Sequence, residues 1–229
     1  MPRPSVSKAC GWAAGAVLLC AVSVPAPATA AERPGATFES VFQAGDEPAA
    51  LFYRAEFTGS DGAHALQVWR DKQVRLRRKT DDALDTYVVR DSADPLEYQM
   101  TVVDYRKRIT TQIDRNNLIR LGHFSDWFDL AHGLRHPIGA YRLAPTSAPA
   151  GAPTPASTCR WYALSQGKNT HRICWSTREH LPMVIWSDAN ASAVWRVTQV
   201  EHRSIRDEVF VPHDTGFVRN DANADIERD

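Results

Sequence analysis

Residues 51–80 read LFYRAEFTGSDGAHALQVWRDKQVRLRRKT, and this stretch decides the expected fold. It contains three strand-like runs, at residues 51–58, 64–70 and 73–80, and two polar turn clusters separate them. In the third run Val74 and Leu76 alternate with Arg75 and Arg77, so one face is expected to be buried and the other solvated. Short strands joined by short turns are typical of an antiparallel β-meander.

The pattern of short strands joined by polar turns continues along the rest of the chain. Further strands are expected at residues 84–90, 98–103, 108–113, 159–165, 172–177, 181–187 and 193–205. Helical character is confined to a short segment at 37–44, a turn at 116–121 and a helix over 126–134. In that last helix Ser125 is the expected N-cap, and Trp127, Leu130, Ala131 and Leu134 form one apolar stripe. The meander is expected to close toward a barrel, with the helix covering the curved sheet.

Composition places the chain among ordinary folded proteins. Its 229 residues suffice for a hydrophobic core, and 43% of them are apolar. The 27 Lys and Arg residues equal the 27 Asp and Glu residues, and this balance argues against a nucleic-acid partner.

The N-terminus has the pattern of a secretory signal peptide at residues 1–30. Arg3 and Lys8 precede an uncharged segment over 9–24, and cleavage is expected near Ala30. The alternative, a membrane anchor, needs a longer apolar run. Cleavage would leave no transmembrane segment and would send one domain, residues 31–229, to the periplasm.

The loss of Cys10 and Cys20 with the signal would leave Cys159 and Cys174 in an oxidising compartment. A disulfide across the hairpin that turns at residues 167–169 is therefore expected, and it would stabilise the fold by roughly 3 kcal/mol. Residues 144–158 contain only Ala, Pro, Thr, Ser and Gly, which predicts a long surface loop inside one domain. The polar tail from about residue 220 is expected to be frayed.

Motifs that carry catalysis are scarce. The sequence has no nucleophile elbow, phosphate-binding loop or dinucleotide fingerprint. His132 and His136 are four residues apart, as are the two histidine ligands of many helical metal sites. The glutamate of a zinc hydrolase is missing between them, however, and Pro137 ends the helix directly afterwards. Glu179 and His180 are expected in a solvated turn. We therefore predict no catalytic residues, no metal and no cofactor.

Two residue sets remain as candidate binding groups. A basic group surrounds the third strand, where most side chains are expected on the solvated face: Arg70, Lys72, Arg75, Arg77, Arg78 and Lys79. Arg75 and Arg77 would be its partner-binding residues. Large aromatics on neighbouring strands either fill a core or line an apolar cavity, and the candidate wall residues are Trp69, Trp127, Trp175, Trp186 and Trp195.

The element order and several local patterns resemble the LolA-like superfamily. The early strand LFYRAEF at 51–57 follows a short helix, and the late segment runs from Cys174-Trp175-Ser176 through Leu181-Pro182 to a long strand over 194–205. A closing Val-Phe-Val-Pro at 209–212 completes the likeness, which covers residues 37–218. That superfamily includes the periplasmic lipoprotein carrier, the outer-membrane lipoprotein receptor and sigma-factor regulatory domains.

The resemblance implies an α+β fold, in which a strongly curved antiparallel sheet forms an incomplete barrel around short helices. It also implies an apolar interior that shelters a lipid or the acyl group of a lipidated protein without catalysis. The alternative is a regulatory or envelope-assembly protein that binds a partner protein through the same fold.

Overall fold

The structure is a computed structural model, and it describes residues 36–43, 45–91, 93–94, 96–120 and 126–226. All of these residues belong to one compact unit. The predicted signal peptide and the predicted capping residue Ser125 lie outside the described residues.

Twelve strands form one sheet over the described residues. In chain order they are β1 Ala50–Gly59, β2 Gly62–Asp71, β3 Arg75–Thr80, β4 Leu84–Arg90, β5 Tyr98–Asp104, β6 Ile109–Asp114, β7 Arg142–Pro145, β8 Arg160–Gln166, β9 Asn169–Ser176, β10 Leu181–Ser187, β11 Ser192–Glu201 and β12 Val218–Asp221. Their order across the sheet is β12-β6-β5-β4-β3-β2-β1-β11-β10-β9-β8-β7. Because β12 and β7 form separate edges, the curved sheet is not closed, which confirms the predicted incomplete barrel.

The helical elements are short. They are a π-helical turn Glu39–Gln43, α1 Arg115–Arg120, α2 Trp127–His132, a 3-10 turn Asp207–Phe210 and α3 Ala222–Ile226. Neighbouring strands are antiparallel except for β12 and β6, which run parallel. The elements therefore fit the expected α+β class, with few helices around an antiparallel sheet.

The two faces of the sheet differ in what covers them. The inner face carries Tyr53 and Val68, and α2 lies against it, since the Tyr53 hydroxyl donates to the Ala131 carbonyl at 3.4 Å. Directly opposed residues share a face, so the outer face carries a row across β1 to β4 made of Phe52, Trp69, Arg77 and Tyr87.

The helices complete the apolar core. Phe38, just before the π-helical turn, and Phe42 within it pack against Trp175 and Ile173 of β9. In a second cluster, α2 contributes Leu130 and Ala131, which pack with Leu76, Val88 and Tyr98 of the sheet. A curved sheet leaves its inner face open to water at its ends, so these short elements remove apolar area from solvent at about 25 cal/mol per Å².

Strand β3 begins later than predicted. Lys72 and Gln73 adopt positive φ angles of 53° and 54°, so they form the turn rather than the strand. Val74 is consequently 44% exposed, whereas we expected it to be buried. Leu76 is buried as predicted.

Helix α2 has a different cap and a shorter span than the sequence indicated. Its N-cap is Asp126, whose Oδ1 accepts a hydrogen bond from the Asp129 N–H at 2.8 Å. At the other end Gly133 adopts a left-handed conformation and donates to the Asp129 carbonyl at 2.9 Å. Leu134 therefore lies beyond the helix, although it stays buried.

The disulfide between Cys159 and Cys174 is present, with the two Cα atoms 5.3 Å apart. It joins the start of β8 to β9 across the predicted hairpin, where Trp161 opposes Cys174. The Ala- and Pro-rich stretch starts later than expected, because Ala144 and Pro145 end strand β7. Its remaining part, 146–158, connects β7 to β8 within the same sheet.

The tail predicted to be frayed from about residue 220 is tied to the sheet through residue 226. Strand β12 pairs with the edge of β6. Just beyond it, the Asn223 side-chain oxygen accepts from the Asp114 N–H at 2.9 Å and from Asn117 Nδ2 at 3.0 Å. These bonds supply partners to backbone groups that an uncovered edge strand would leave to water.

Candidate ligand-binding cleft

An apolar cleft of about 380 Å³ lies between the inner face of β8–β11 and the chain that follows α2. Its lining is mostly apolar, formed by Leu134, Pro137, Ile138, Leu164, Ile173, Ile185 and Val194, and its polar members are Arg135, His136, Gln166 and His171. Ile138 stands at the mouth with 91% of its surface exposed.

Strand register explains why the cleft floor is apolar. Tyr162 opposes Ile173, Ile173 opposes Ile185, and Ile185 opposes Trp195, so one row of apolar side chains crosses β8 to β11. Phe57 of β1 opposes Trp195 and extends the row. Each strand contributes one member through the period-2 alternation of its side chains.

A β-bulge shapes the rim of the cleft. The register of β10 with β11 shifts between Ile185 and Trp186, whose partners are Trp195 and Ala193. Val194 is the extra residue of this bulge and lines the cleft. Bulges redirect single side chains in this way without disturbing the rest of the pairing.

The apolar cleft continues into a second cleft of about 270 Å³ with a charged lining. The two share Gly133, Arg135, Ile185 and Val194, and the second adds Arg78 and Asp129. Arg78 belongs to the inner face of β3, because it opposes Val68. The combined site is thus apolar at one end and charged at the other.

The electrostatics of the charged end favour a positive net charge. Burial lowers the pKa of Arg78, but an arginine side chain remains protonated. Burial, and then the neighbouring Asp126 carboxylate, raise the pKa of Asp129 to about 6. Asp129 Oδ1 accepts a hydrogen bond from the His136 N–H at 3.2 Å. Two guanidinium groups therefore face one carboxylate that is easily neutralised.

Gly133 fixes the position of the Trp195 indole in this site. A Cβ at Gly133 would lie 2.5 Å from Trp195 Cη2, which no real contact tolerates. Gly133 also has a φ of 69°, a conformation that favours glycine. The indole therefore packs directly on the backbone at the end of α2.

A buried polar network lies beside the clefts on the inner face. Arg70 Nη2 donates to the Glu179 carbonyl at 3.0 Å, and its Nη1 lies 3.6 Å from Glu47 Oε2. His132 Nε2 lies 3.0 Å from Glu47 Oε1. Burial lowers the pKa of His132, although the neighbouring Glu47 opposes this shift. The network ties α2, β2 and the chain before β1 together.

Glu179 and His180 are not solvated, contrary to the sequence-based expectation. They are 3% and 2% exposed, respectively. His180 has a φ of 49°, and this left-handed turn directs the chain back into β10. Among the residues that the structure describes, no group of three or more His, Cys, Asp or Glu side chains is placed to hold a metal ion.

The five candidate wall tryptophans do not meet in one cavity. Trp195 alone among them lines the charged end of the cleft. Trp175 is buried in the cluster with Phe42, and Trp127 packs near the cluster of α2. Trp186 lines a separate groove under the 146–158 segment, and Trp69 lies on the outer face against Phe52 at 5.1 Å between ring centroids.

Arg75 and Arg77 are engaged within the chain. Arg75 Nη2 donates to Asp71 Oδ2 and Arg77 Nη2 to Asp85 Oδ2, each at 2.6 Å. Their guanidinium groups also lie over aromatic rings, Phe210 at 4.3 Å and Trp69 at 4.9 Å. Both groups thus hold outer-face elements together, and an anionic partner would have to displace these contacts.

Sequence reasoning missed Arg78, Asp129 and Arg135 as site residues. For Arg78 a signal was present, since period-2 alternation places it on the side of Leu76 and opposite Arg77. An arginine on the apolar side of a strand is uncommon enough to mark a site. Asp129 and Arg135 carry no comparable signal, because their meeting with Arg78 depends on how α2 packs on the sheet.

Comparison with known protein families and with curated proteins finds no match to this chain. The described residues include no helix that is both long and apolar enough to cross a membrane. What the fold and site define is therefore a class by geometry: a curved, open sheet whose inner face bears an apolar cleft with a cationic end.

Proposed function

We propose that this protein is an exported, periplasmic binding protein that shelters a lipid or the acyl group of a lipidated protein in the cleft. The observation that carries the proposal is the apolar pair Ile173 and Ile185 on neighbouring strands, which lines the cleft together with the exposed Ile138. The function requires no bond to be made or broken.

The size and lining of the cleft support an acyl ligand. Its volume of about 380 Å³ is within the usual range of about 300–1,000 Å³ for small-molecule sites. Side chains such as Leu164 and Ile173 offer apolar contact along its length. Each buried methylene of a ligand chain would gain about 0.8 kcal/mol, so a long chain binds by burial alone.

Export is supported by two independent features. The pattern at residues 1–30 has the basic, apolar and small-residue order of a signal peptide. The Cys159–Cys174 disulfide suits an oxidising compartment. The resemblance to lipoprotein carriers agrees with both and makes a lipidated envelope protein the preferred partner.

Two cleft variants test the proposal with a neutral probe, a pyrene-labelled long-chain alcohol followed by fluorescence. Ile138→Ser removes apolar area at the mouth, and Val194→Trp fills the cleft at the bulge. We expect each to weaken probe binding by about tenfold, as burial of one such side chain is worth about 1.5–3 kcal/mol.

Matched controls come from apolar residues outside the cleft. Leu96, which is 69% exposed before β5, serves for Leu96→Ser, and the exposed edge residue Val218 serves for Val218→Trp. Both controls should bind the probe like the parent protein. Equal binding by all four variants, or no binding by the parent, would contradict the proposal.

A further inference from the structure

The charged end of the cleft contains two guanidinium groups that the fold itself does not use. Arg78 and Arg135 form no hydrogen bond or ion pair with any residue that the structure describes. Arg78 is half-buried on the inner face of β3, and Arg135 is exposed on the chain after α2. Burial is the main cause that lowers the pKa of Arg78; the neighbouring Arg135 lowers it further, and Tyr53 and Asp129 oppose the shift.

The contrast within strand β3 makes the unpaired state of Arg78 informative. Arg75 and Arg77, on the outer face of the same strand, each have a carboxylate at 2.6 Å. A desolvated charge without a partner is costly to a fold. Arg78 faces the cleft beside a second cation, Arg135. An anionic ligand would pair with its guanidinium group and offset the cost of desolvating it.

The apolar and cationic parts form one continuous site. Arg135, Ile185 and Val194 line both clefts, so a chain on the Ile173–Ile185 row ends next to the guanidinium groups. Guanidinium groups recognise carboxylates and phosphates through paired, charge-assisted hydrogen bonds. The geometry is that of a receptor for an amphiphile.

We propose that the cleft selects a single-chain anionic amphiphile, with its acyl chain along the apolar row and its phosphate or carboxylate head group held by Arg78 and Arg135. This inference rests on the proposed acyl-binding function and adds the charge of the ligand to it. A neutral amphiphile of the same length would leave both guanidinium groups without a partner and would bind more weakly.

Competition against the pyrene-labelled alcohol tests the proposal. Dodecanol, dodecanoate and dodecyl phosphate, all below their micelle concentrations, serve as competitors on the full chain. We expect the two anions to displace the probe at about tenfold lower concentration than dodecanol, because hydrogen bonds to charged groups add well over one factor of ten. Arg78→Gln and Arg135→Gln should abolish that preference while leaving dodecanol unchanged.

Controls separate the possible failures. Arg206→Gln removes an exposed cation that lines neither cleft and should keep the preference. Arg78→Lys retains the charge and should restore part of it. If Arg78→Gln does not fold, the exposed Arg135→Gln decides the question alone.

The outcomes distinguish the two proposals. If the probe does not bind at all, the acyl-binding function fails. If the probe binds and all three competitors displace it equally, the function stands and the anionic head-group site is overturned. Inorganic phosphate should not compete at the concentrations at which dodecyl phosphate does; equal competition would show a phosphate site independent of the chain and would also overturn the proposal.

Discussion

At the scale of single residues, Asp129 sets the charge of the site. Its carboxylate lies near the cations Arg78 and Arg135. The Asp126 carboxylate and the His136 backbone N–H are its other polar neighbours. Burial and Asp126 raise its pKa from 3.8 to about 6. The folded protein therefore holds a proton between pH 4 and 6 that the unfolded chain has released, and stability falls as pH rises through this window.

Asp129→Asn should remove that loss. The variant is expected to be about 1 kcal/mol more stable than the parent at pH 7 and equally stable or slightly less so at pH 4, a figure reduced for the partial exposure of the group. Chemical denaturation at both pH values measures the difference. Glu208→Gln, at an exposed carboxylate, is the control and should show no such trend; a pH-independent effect of Asp129→Asn would contradict the account.

From the sequence we predicted a cavity walled by tryptophans and a separate basic group, but not which side chains share the cleft. Arg78 could be assigned to the inner face by alternation, but treating the six basic residues as one group obscured this. The sequence could not show which tryptophans line the cleft. The pairing register of β10 with β11, including its bulge, places Trp195 in the cleft and Trp186 outside it. Such registers arise from contacts between distant strands.

At the scale of elements, the end of α2 connects the core to the cleft. Gly133 closes the helix, contacts Trp195 and begins the segment that carries Arg135 and Ile138. A side chain at position 133 would have to displace the indole or the segment. The cleft should therefore respond to a change at a residue that offers a ligand no side chain.

Gly133→Ala and Gly139→Ala form a matched pair that tests this. Both glycines have positive φ angles, 69° and 83°, but a Cβ at Gly139 meets nothing within 4 Å. We expect Gly139→Ala to cost about 1 kcal/mol from backbone strain, and Gly133→Ala about 3 kcal/mol from strain plus overpacking. Chemical denaturation measures the free energy of unfolding of both variants, and the tryptophan fluorescence spectrum should shift for Gly133→Ala alone. Equal costs would exclude the proposed contact with Trp195.

Element positions followed from local patterns, whereas their ends and their distant partners did not. The alternation in residues 51–80 was sufficient to predict β1 to β3, but the positive φ angles of Lys72 and Gln73 moved the start of β3. The pairing of β12 with β6 joins residues about a hundred positions apart, and the exposed polar sequence of β12 gives no hint of it.

At the scale of the whole molecule, the open sheet explains why a cleft exists. The twelve-stranded sheet has two separate edges, β12 and β7, and short helices cover only part of its inner face, so the uncovered part forms the cleft. The buried network of Arg70, Glu47 and His132 secures α2 on one side. The chain after α2 is left facing β8–β11 across the cleft.

The disulfide contributes to the same arrangement from the other side of the sheet. It fixes β9 to the end of the 146–158 segment, and Ser157 Oγ donates to Glu179 Oε1 at 3.1 Å. Glu179 also belongs to the turn that delivers β10 to the cleft floor. Strands that line the cleft are thus held in register from both faces.

The central claim is that the cleft holds an acyl ligand, and native mass spectrometry of the protein tests it most directly. The full chain, expressed in bacteria and purified without detergent, should carry one added mass in the range of a single-chain anionic lipid or an acylated peptide. Val194→Trp should lose that mass and Val218→Trp should keep it. An unmodified mass for the parent protein, unchanged after incubation with bacterial lipids, would contradict the account.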